Sequence, residues 1–182
     1  MELGKIKSAH LLRAWLTAVL LCGGLAAGTV GGADEAAVDD GFSPELPVYL
    51  YFADPDRPVL TAEERPPMTA ADPAALCRAL LDALIQGPSG TLSRTVPADT
   101  KVRAVFVADQ TAYVDFSPEI RTSHPGGIDM ERLTVYAIVH TVVLNLDGVD
   151  RVKILIDGRD AETLAGHIDI RFPLSADMLI VR

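Results

Sequence analysis

The chain has 182 residues, with 16 basic and 25 acidic side chains and a formal net charge of -9. An acidic balance of this kind repels phosphate backbones, so nucleic acid is not expected as a partner. Hydrophobic residues make up 49% and charged residues 23%, which excludes an intrinsically disordered chain and predicts one folded domain. Aromatic residues are 5% of the chain, too few for a broad carbohydrate-stacking surface.

The first 33 residues have the layout of a secretory signal peptide, because three basic residues precede an uncharged, largely apolar stretch. Small residues favour cleavage after Ala33, and an uncleaved membrane anchor is the alternative. Leu21 argues against lipidation at Cys22, since lipid-modification sites have a small residue before the cysteine. Residues 34–46 contain five acids and no base, which predicts a solvated linker. The location expected is periplasmic or extracytoplasmic, with the membrane contacted only through an uncleaved leader.

The residues after the linker alternate between strand and helix patterns. The run 48–53 is rich in β-branched and aromatic residues and predicts the first strand. Prolines make residues 57–71 irregular, with at most a short strand at residues 59–60. A helix begins at Asp72-Pro73, where Asp is the N-cap and Pro the first helical residue, and it ends before Gly87-Pro88.

The second half of the chain predicts a hairpin, a helix and a last strand. Two β-rich runs, 101–108 and 111–116, flank a two-residue Asp-Gln turn. The next segment carries many β-branched residues, but its length up to Asp147-Gly148 favours a helix over a strand. Residues 151–156 alternate and predict an outer strand. The order β-α-β-β-α-β predicts the α+β class: a single sandwich with one mixed or antiparallel sheet and two helices on one face.

Several short strings occur together in a recognisable order and spacing. They are VYLYF at 48–52, LIQGP at 84–88, AYVDFS at 112–117, VKILIDG at 152–158 and AGH at 165–167. In this arrangement the chain resembles the GerMN domain, the sporulation and spore-germination domain family. The resemblance runs over residues 47–173 and leaves residues 174–182 as a C-terminal tail or short strand.

The resemblance implies an exported, envelope-associated module without established enzymatic activity, similar in topology to ring-building domains whose packed copies assemble oligomers. Its partners would be an envelope protein or further copies of itself. Two features depart from the family's founding type, which carries two tandem copies and a lipid anchor: this chain has room for one copy, and its lipidation site is poor. The resemblance by itself transfers no spore-related role.

The strong enzyme signatures are absent from the sequence, which contains no HExxH, paired CxxC, GxSxG or Walker loop. No cofactor or metal is expected. His124 lies in a glycine-containing loop and is a candidate to bind a ligand. The alternative is a solvated side chain that binds nothing. His167 follows a glycine and is predicted to hydrogen-bond Asp157 or a backbone carbonyl, pinning the end of the sheet. Asp115, at a strand end, is predicted to cap neighbouring amides.

Arg151 and Lys153 place two basic side chains on the last strand of an acidic protein. These charges are consistent with a strand edge that is protected from pairing with other molecules, or with docking against an acidic neighbour. Docking predicts weak, salt-sensitive association. The main hypothesis is therefore a non-catalytic envelope module for protein-protein association. One alternative is a small-ligand or cell-wall-glycan binding domain that uses His124 and His167. The remote alternative is a hydrolase built on Asp115, Asp157 and His167.

Export predicts that the mature protein begins at Asp34, because signal peptidase cleaves after small residues. N-terminal sequencing of the protein recovered from its native host measures this directly. An intact Met1 in the membrane fraction would instead demonstrate the uncleaved anchor.

Overall fold

The computed structural model describes residues 46–182, so the predicted signal peptide and nearly all of the predicted acidic linker lie outside the described residues. Five strands and three α-helices precede a C-terminal 3-10 helix. In chain order they are β1 (Val48–Ala53), β2 (Leu60–Arg65), α1 (Pro73–Gln86), β3 (Val102–Ala108), β4 (Thr111–Phe116), α2 (Glu119–Thr122), α3 (Ile128–Val143), β5 (Arg151–Ile156) and η1 (Met178–Ile180). No helix among these residues is long and apolar enough to cross a bilayer.

The strands form two sheets, whereas a single sheet was predicted. β1 and β2 make an antiparallel ribbon, and β3, β4 and β5 make a second sheet in that order. β3 and β4 are antiparallel while β4 and β5 are parallel, so the second sheet is mixed. The α+β class is confirmed, but the single four-stranded sheet was wrong: β2 is a full six-residue strand, and β1 pairs with it instead of joining the others.

The edge of β1 that does not pair with β2 explains this division, because residues of α3, of the turn after it and of the loop at Ser93 already occupy that edge. The Tyr49 N–H donates to Asn145 Oδ1 at 2.8 Å, and Asn145 Nδ2 donates back to the Tyr49 carbonyl at 2.7 Å. The Tyr51 N–H donates to Thr141 Oγ1 at 3.2 Å. At the end of the strand, Ser93 exchanges two backbone hydrogen bonds with β1, at 3.0 and 2.8 Å. Side chains and a loop thus supply the partners that another strand would otherwise provide.

Helix α1 forms as its sequence predicts. The Asp72 carboxylate accepts the Ala75 N–H at 2.8 Å, and Pro73 is the first helical residue. The helix ends at Gly87, whose φ of 97° favours glycine. Cys77 is fully buried on the core side, where it packs as a small apolar residue.

Helix α3 forms despite its β-branched residues because tertiary packing outweighs local propensity. Ten of its 16 residues are buried, so its Val, Ile and Thr side chains fill the core on several sides at once. Both large helices pack against each other and against both sheets, with α1 on β3 and α3 on β5. The side chains of β4 that face the helices, Ala112, Val114 and Phe116, are fully buried. The opposite face of the β3-β4-β5 sheet therefore points away from the helices.

The hairpin between β3 and β4 turns through Asp109 and Gln110, whose φ values are 48° and 60°. Two successive positive φ values are those of a type I′ turn, which matches the twist of the flanking strands. After β5 the chain is mostly irregular and returns along the sheets. Leu174 bridges to Val152 on β5, and Val181 near the C-terminus bridges to β2.

The hydrogen bonds of Asn145 give a direct test of the β1 edge. Asn145→Ala leaves the Tyr49 N–H and carbonyl without their partners, so we expect the free energy of unfolding to fall by about 1–3 kcal/mol. Urea denaturation measures the change. Asp147→Ala, an exposed neighbour, is the matched control and should have little effect. Equal losses in both variants would show that the side-chain cap on β1 does not stabilise the fold.

Candidate functional site

His167 binds a buried glutamate, not Asp157 or a backbone carbonyl as the sequence suggested. Its Nδ1 lies 2.9 Å from Glu131 Oε2, and its own backbone N–H donates to the same oxygen at 2.7 Å. The Ala165 N–H donates to Glu131 Oε1 at 2.7 Å. The Glu131 side chain is 0% exposed. One carboxylate on α3 therefore holds the loop that contains His167.

The pKa of Glu131 reflects two opposed effects. Burial alone would raise it, but hydrogen bonds from the backbone of Ala165 and Ile168, and from the side chain and backbone of His167, bring the pKa below its ordinary value. The donors favour the ionised form more than burial disfavours it. Glu131 is thus a charged anchor that donors on the loop surround.

Sequence reasoning missed Glu131, although a signal for it exists. Glu131 lies three and four residues before Thr134 and Val135, on the buried stripe that continues to Ile138. A carboxylate on an apolar helical stripe needs dedicated partners, because burying an unpaired charge is very costly. The position of such a glutamate near the start of a helix is also favourable, since the helix dipole places partial positive charge there.

His124 is also engaged inside the domain. Its Nδ1 accepts the Gly126 N–H at 2.9 Å, which assigns the proton of the neutral ring to Nε2. Nε2 lies 3.0 Å from Thr134 Oγ1, and the Thr134 hydroxyl in turn donates to the Thr95 carbonyl at 2.6 Å. Burial lowers the pKa of His124, against the attraction of the Glu131 charge, so the ring is neutral near pH 7. It ties the loop before α3 to the helix.

Asp115 and Asp157 meet at an arginine. Arg103 Nη1 lies 2.5 Å from Asp157 Oδ1 and 3.5 Å from Asp115 Oδ2. Asp115 Oδ1 also accepts the Gly158 N–H at 2.7 Å and so caps the turn that follows β5. Among the described residues neither aspartate bonds to His167, whose ring partner is Glu131. The structure therefore does not assemble the acid-base set on which the hydrolase alternative depends.

Lys153 is buried, although the sequence suggested a docking residue. Its side chain is 8% exposed, and Nζ pairs with Asp160 at 2.7 Å. Nζ also donates to the carbonyls of Ile170 and Arg171, at 3.2 and 2.8 Å. Arg151 on the same strand is exposed. Charge reversal at Lys153 would place a carboxylate against Asp160 and two carbonyls, so it would perturb folding rather than test docking.

Two exposed aromatic residues lie on the outward face of the mixed sheet, whereas other exposed apolar side chains, such as Phe172 and Leu179, lie elsewhere in the domain. Phe106 on β3 is 64% exposed and Tyr113, its register partner on β4, is 37% exposed. Their ring centroids are 6.3 Å apart with an interplanar angle of 45°. We call this surface the outer sheet face; it comprises Ala104, Phe106 and Ala108 of β3 with Tyr113 of β4. The sequence signal was that β3 is apolar on both of its faces, which is unusual for a strand with only one face covered.

The groove beside β1 is not lined by the predicted polar residues, and a second concavity, at residues 118–122 and 156–161, includes only Asp157 of them. A groove of about 400 Å³ lies between the start of β1 and the end of α3, and its lining includes Met68, Leu76 and Leu146. None of His124, His167 or the two aspartates lines it. Within residues 46–182 no group of three or more His, Cys, Asp or Glu side chains is placed to hold a metal ion.

Substitutions at the Glu131 anchor test its role. Glu131→Gln places an amide NH₂ among backbone donors, so we expect a loss of about 1.5–3 kcal/mol in the free energy of unfolding at pH 7. His167→Ala removes one bond and leaves the backbone donors in place, with an expected loss of about 1–2 kcal/mol. Asp129→Asn, in the same helical turn but exposed, is the control. Losses no larger than that of the control would contradict the anchoring role.

The lowered pKa of Glu131 also predicts a pH dependence. A carboxyl group whose folded pKa lies below its unfolded value stabilises the fold above the unfolded value and loses that contribution as pH falls through the folded pKa. The free energy of unfolding should therefore decrease as pH drops below the ordinary value of 4.5. Denaturation of Glu131→Gln across the same range should show a shallower decrease. Parallel curves would mean that other carboxylates carry the effect.

A family model described as sporulation and spore germination, Germane, matches residues 49–162, which is more than half of the chain. No curated protein sequence matches the chain. The first GerMN domain of the sporulation protein GerM from Bacillus subtilis is similar in structure, with a TM-score of 0.56 and 24% identity over 72% of this chain and 96% of that one.

The tandem GerMN domains of the same Bacillus subtilis protein give a TM-score of 0.57 and 23% identity, over 72% of this chain and 45% of the tandem chain. A Clostridium perfringens protein provisionally described as a lipoprotein gives 0.53 and 25% identity, over 71% of this chain and 85% of that one. These likenesses agree with the resemblance seen in the short sequence strings and with the observed fold. The chain belongs to the Germane family of sporulation and spore-germination domains, the GerMN domains.

Proposed function

We propose that this chain is a non-catalytic module of the cell envelope that mediates protein-protein association through the outer sheet face. The basic-then-apolar leader supports export, and the similar Clostridium perfringens protein is described as a lipoprotein. Membership of a sporulation and germination family supports a role in envelope assembly without defining the pathway.

The observation that carries the proposal is the exposed Phe106–Tyr113 pair. Aromatic side chains are enriched in the energetically dominant parts of protein interfaces, because they bury a large area at a small entropy cost. Phe106 is 64% exposed on a face that also presents the small side chains of Ala104 and Ala108. Two adjoining aromatic rings on a solvent-facing sheet form an exposed apolar patch, the kind of feature that marks interaction sites.

The polar residues of the domain support the same choice. The side chains that the glycan-binding and hydrolase alternatives require are bound to other groups of the domain: His167 to Glu131, His124 to Thr134, and the two aspartates to Arg103. These hydrogen bonds leave fewer polar atoms of these side chains free to bind a glycan. No specific contact in the described part of the chain favours either alternative over association.

Cross-linking in the native envelope tests the proposal. Phe106→Asp places a charge on the outer sheet face without touching the core, so we expect at least about a tenfold loss of cross-linked product, whether that product contains another envelope protein or a second copy.

Leu179→Asp is the matched control for this experiment, because Leu179 is 92% exposed and lies in the C-terminal segment, outside the outer sheet face. Circular dichroism confirms that each variant is folded. Equal cross-linking by the wild type and Phe106→Asp would overturn the proposal.

A further inference from the structure

Three of the four outer strand edges in the described domain are covered or charged. The outer edge of β1 is occupied by Asn145, Thr141 and Ser93. The outer edge of β5 exchanges two backbone hydrogen bonds with Leu174, at 2.9 and 2.8 Å. The strand β2 bonds the Arg182 N–H at one end and carries the charged run Glu63, Glu64 and Arg65 at the other. Covering segments and edge charges are the usual devices that prevent strands from pairing between molecules.

The edge of β3 lacks these devices over most of its length. Arg78 on α1 donates to the carbonyls of Val102 and Arg103, at 2.6 and 3.0 Å, and covers only the start of the strand. From Ala104 to Ala108 the strand has no charged residue. Within residues 46–182, no hydrogen bond outside the β3–β4 ladder engages the backbone of Val105 or Val107.

The hairpin geometry fixes which backbone groups this edge presents. A two-residue turn closes on a hydrogen-bonded pair, here Ala108 with Thr111, and hydrogen-bonded pairs then alternate along the ladder. Phe106 consequently bonds β4, while the N–H and carbonyl groups of Val105 and Val107 point away from it.

We propose that β3 pairs with β3 of a second copy of this chain, antiparallel, about a twofold axis through Phe106. This inference rests on the proposed function and names the occupant of the surface. Val105 of each copy lies opposite Val107 of the other, so both free residues of each edge are used and the two mixed sheets become one continuous sheet. The two Phe106 side chains meet on the axis on the outer sheet face, between pairs formed by Ala104 and Ala108.

Charge favours the antiparallel arrangement. The start of β3 is basic, with Lys101 and Arg103, and the turn at its other end carries Asp109. Antiparallel pairing about Phe106 brings Arg103 of one copy beside Asp109 of the other. Parallel pairing would instead set the basic ends side by side.

Sedimentation velocity of the full-length protein tests the pairing. The wild type should show a concentration-dependent monomer-dimer equilibrium. Val105→Pro removes an outward-facing N–H and leaves the hydrogen bonds to β4 intact. Because the dimer is twofold symmetric, the same hydrogen bond is lost at two places in the interface, so the dimer dissociation constant should rise at least about tenfold. Ala104→Lys, which puts a charge at an exposed position of the same edge without touching the core, is a second variant should the proline variant not fold. Leu179→Asp is the control and should leave the constant unchanged.

Disulfide trapping tests the register. In a Cys22→Ser background, Phe106→Cys should cross-link to itself on oxidation, since directly opposed residues in a non-hydrogen-bonded pair have Cα atoms about 4.5 Å apart, within disulfide range. Ala104→Cys alone should not cross-link, because its opposite residue is Ala108. A mixture of the Ala104→Cys and Ala108→Cys proteins should cross-link as a heterodimer.

The outcomes separate this inference from the proposed function. A wild-type monomer that still shows Phe106-dependent cross-linking to another envelope protein overturns the second-copy inference and leaves the proposed function standing. A dimer insensitive to both edge variants, or self-cross-linking through Ala104→Cys, overturns the β3 pairing or its register. Absence of both dimerisation and Phe106-dependent capture overturns both proposals.

Discussion

Buried polar side chains on α3 supply hydrogen bonds that several other segments of the domain cannot make for themselves. Glu131 accepts from the loop around His167, and Thr134 donates to the Thr95 carbonyl. Thr141 accepts from β1, and His140 Nε2 lies 3.0 Å from the Asp177 carbonyl near the C-terminus. All four side chains belong to buried residues, and each partner is irregular chain or a strand edge. Because buried polar groups are costly when unpaired, this set specifies where the non-helical segments must lie.

This arrangement accounts for the division into two sheets. A strand that enters a sheet needs hydrogen-bond partners along its whole edge, and α3 with the turn after it provides them for β1 at Tyr49 and Tyr51. The mixed sheet is left with three strands, one face on the helices and one face outward. Its β5 edge is closed by the returning chain at Leu174, so the only apolar edge left open among the described strands is that of β3.

The charged residues of the domain act mostly as internal ties. Lys153 holds the returning segment at residues 170–171, and Arg103 joins the ends of β4 and β5 through two aspartates. These contacts satisfy charges at places where the irregular C-terminal segment meets the sheet. The outer sheet face presents the aromatic pair Phe106 and Tyr113, although the chain as a whole carries a net charge of -9. Apolar burial on a flat face and backbone pairing at its edge are compatible modes of association, because they use different atoms of the same strand.

Local patterns in the sequence were sufficient for the secondary elements that depend on near neighbours. The cap at Asp72, the turn at Asp109 and the β-rich runs of β1, β3, β4 and β5 rely on backbone preferences within a few residues, and the family resemblance followed from the same strings. Tertiary structure alone decided the partners. Whether β1 joins the main sheet depends on Asn145, 96 residues away, and whether Lys153 is accessible depends on where residues 170–171 return. Glu131 and Lys153 look like surface charges in the sequence, because the groups that neutralise them approach only when the chain folds. No local pattern in the sequence encodes these long-range hydrogen bonds. They determined which of the predicted residues are held inside the domain, whereas Phe106 remained exposed.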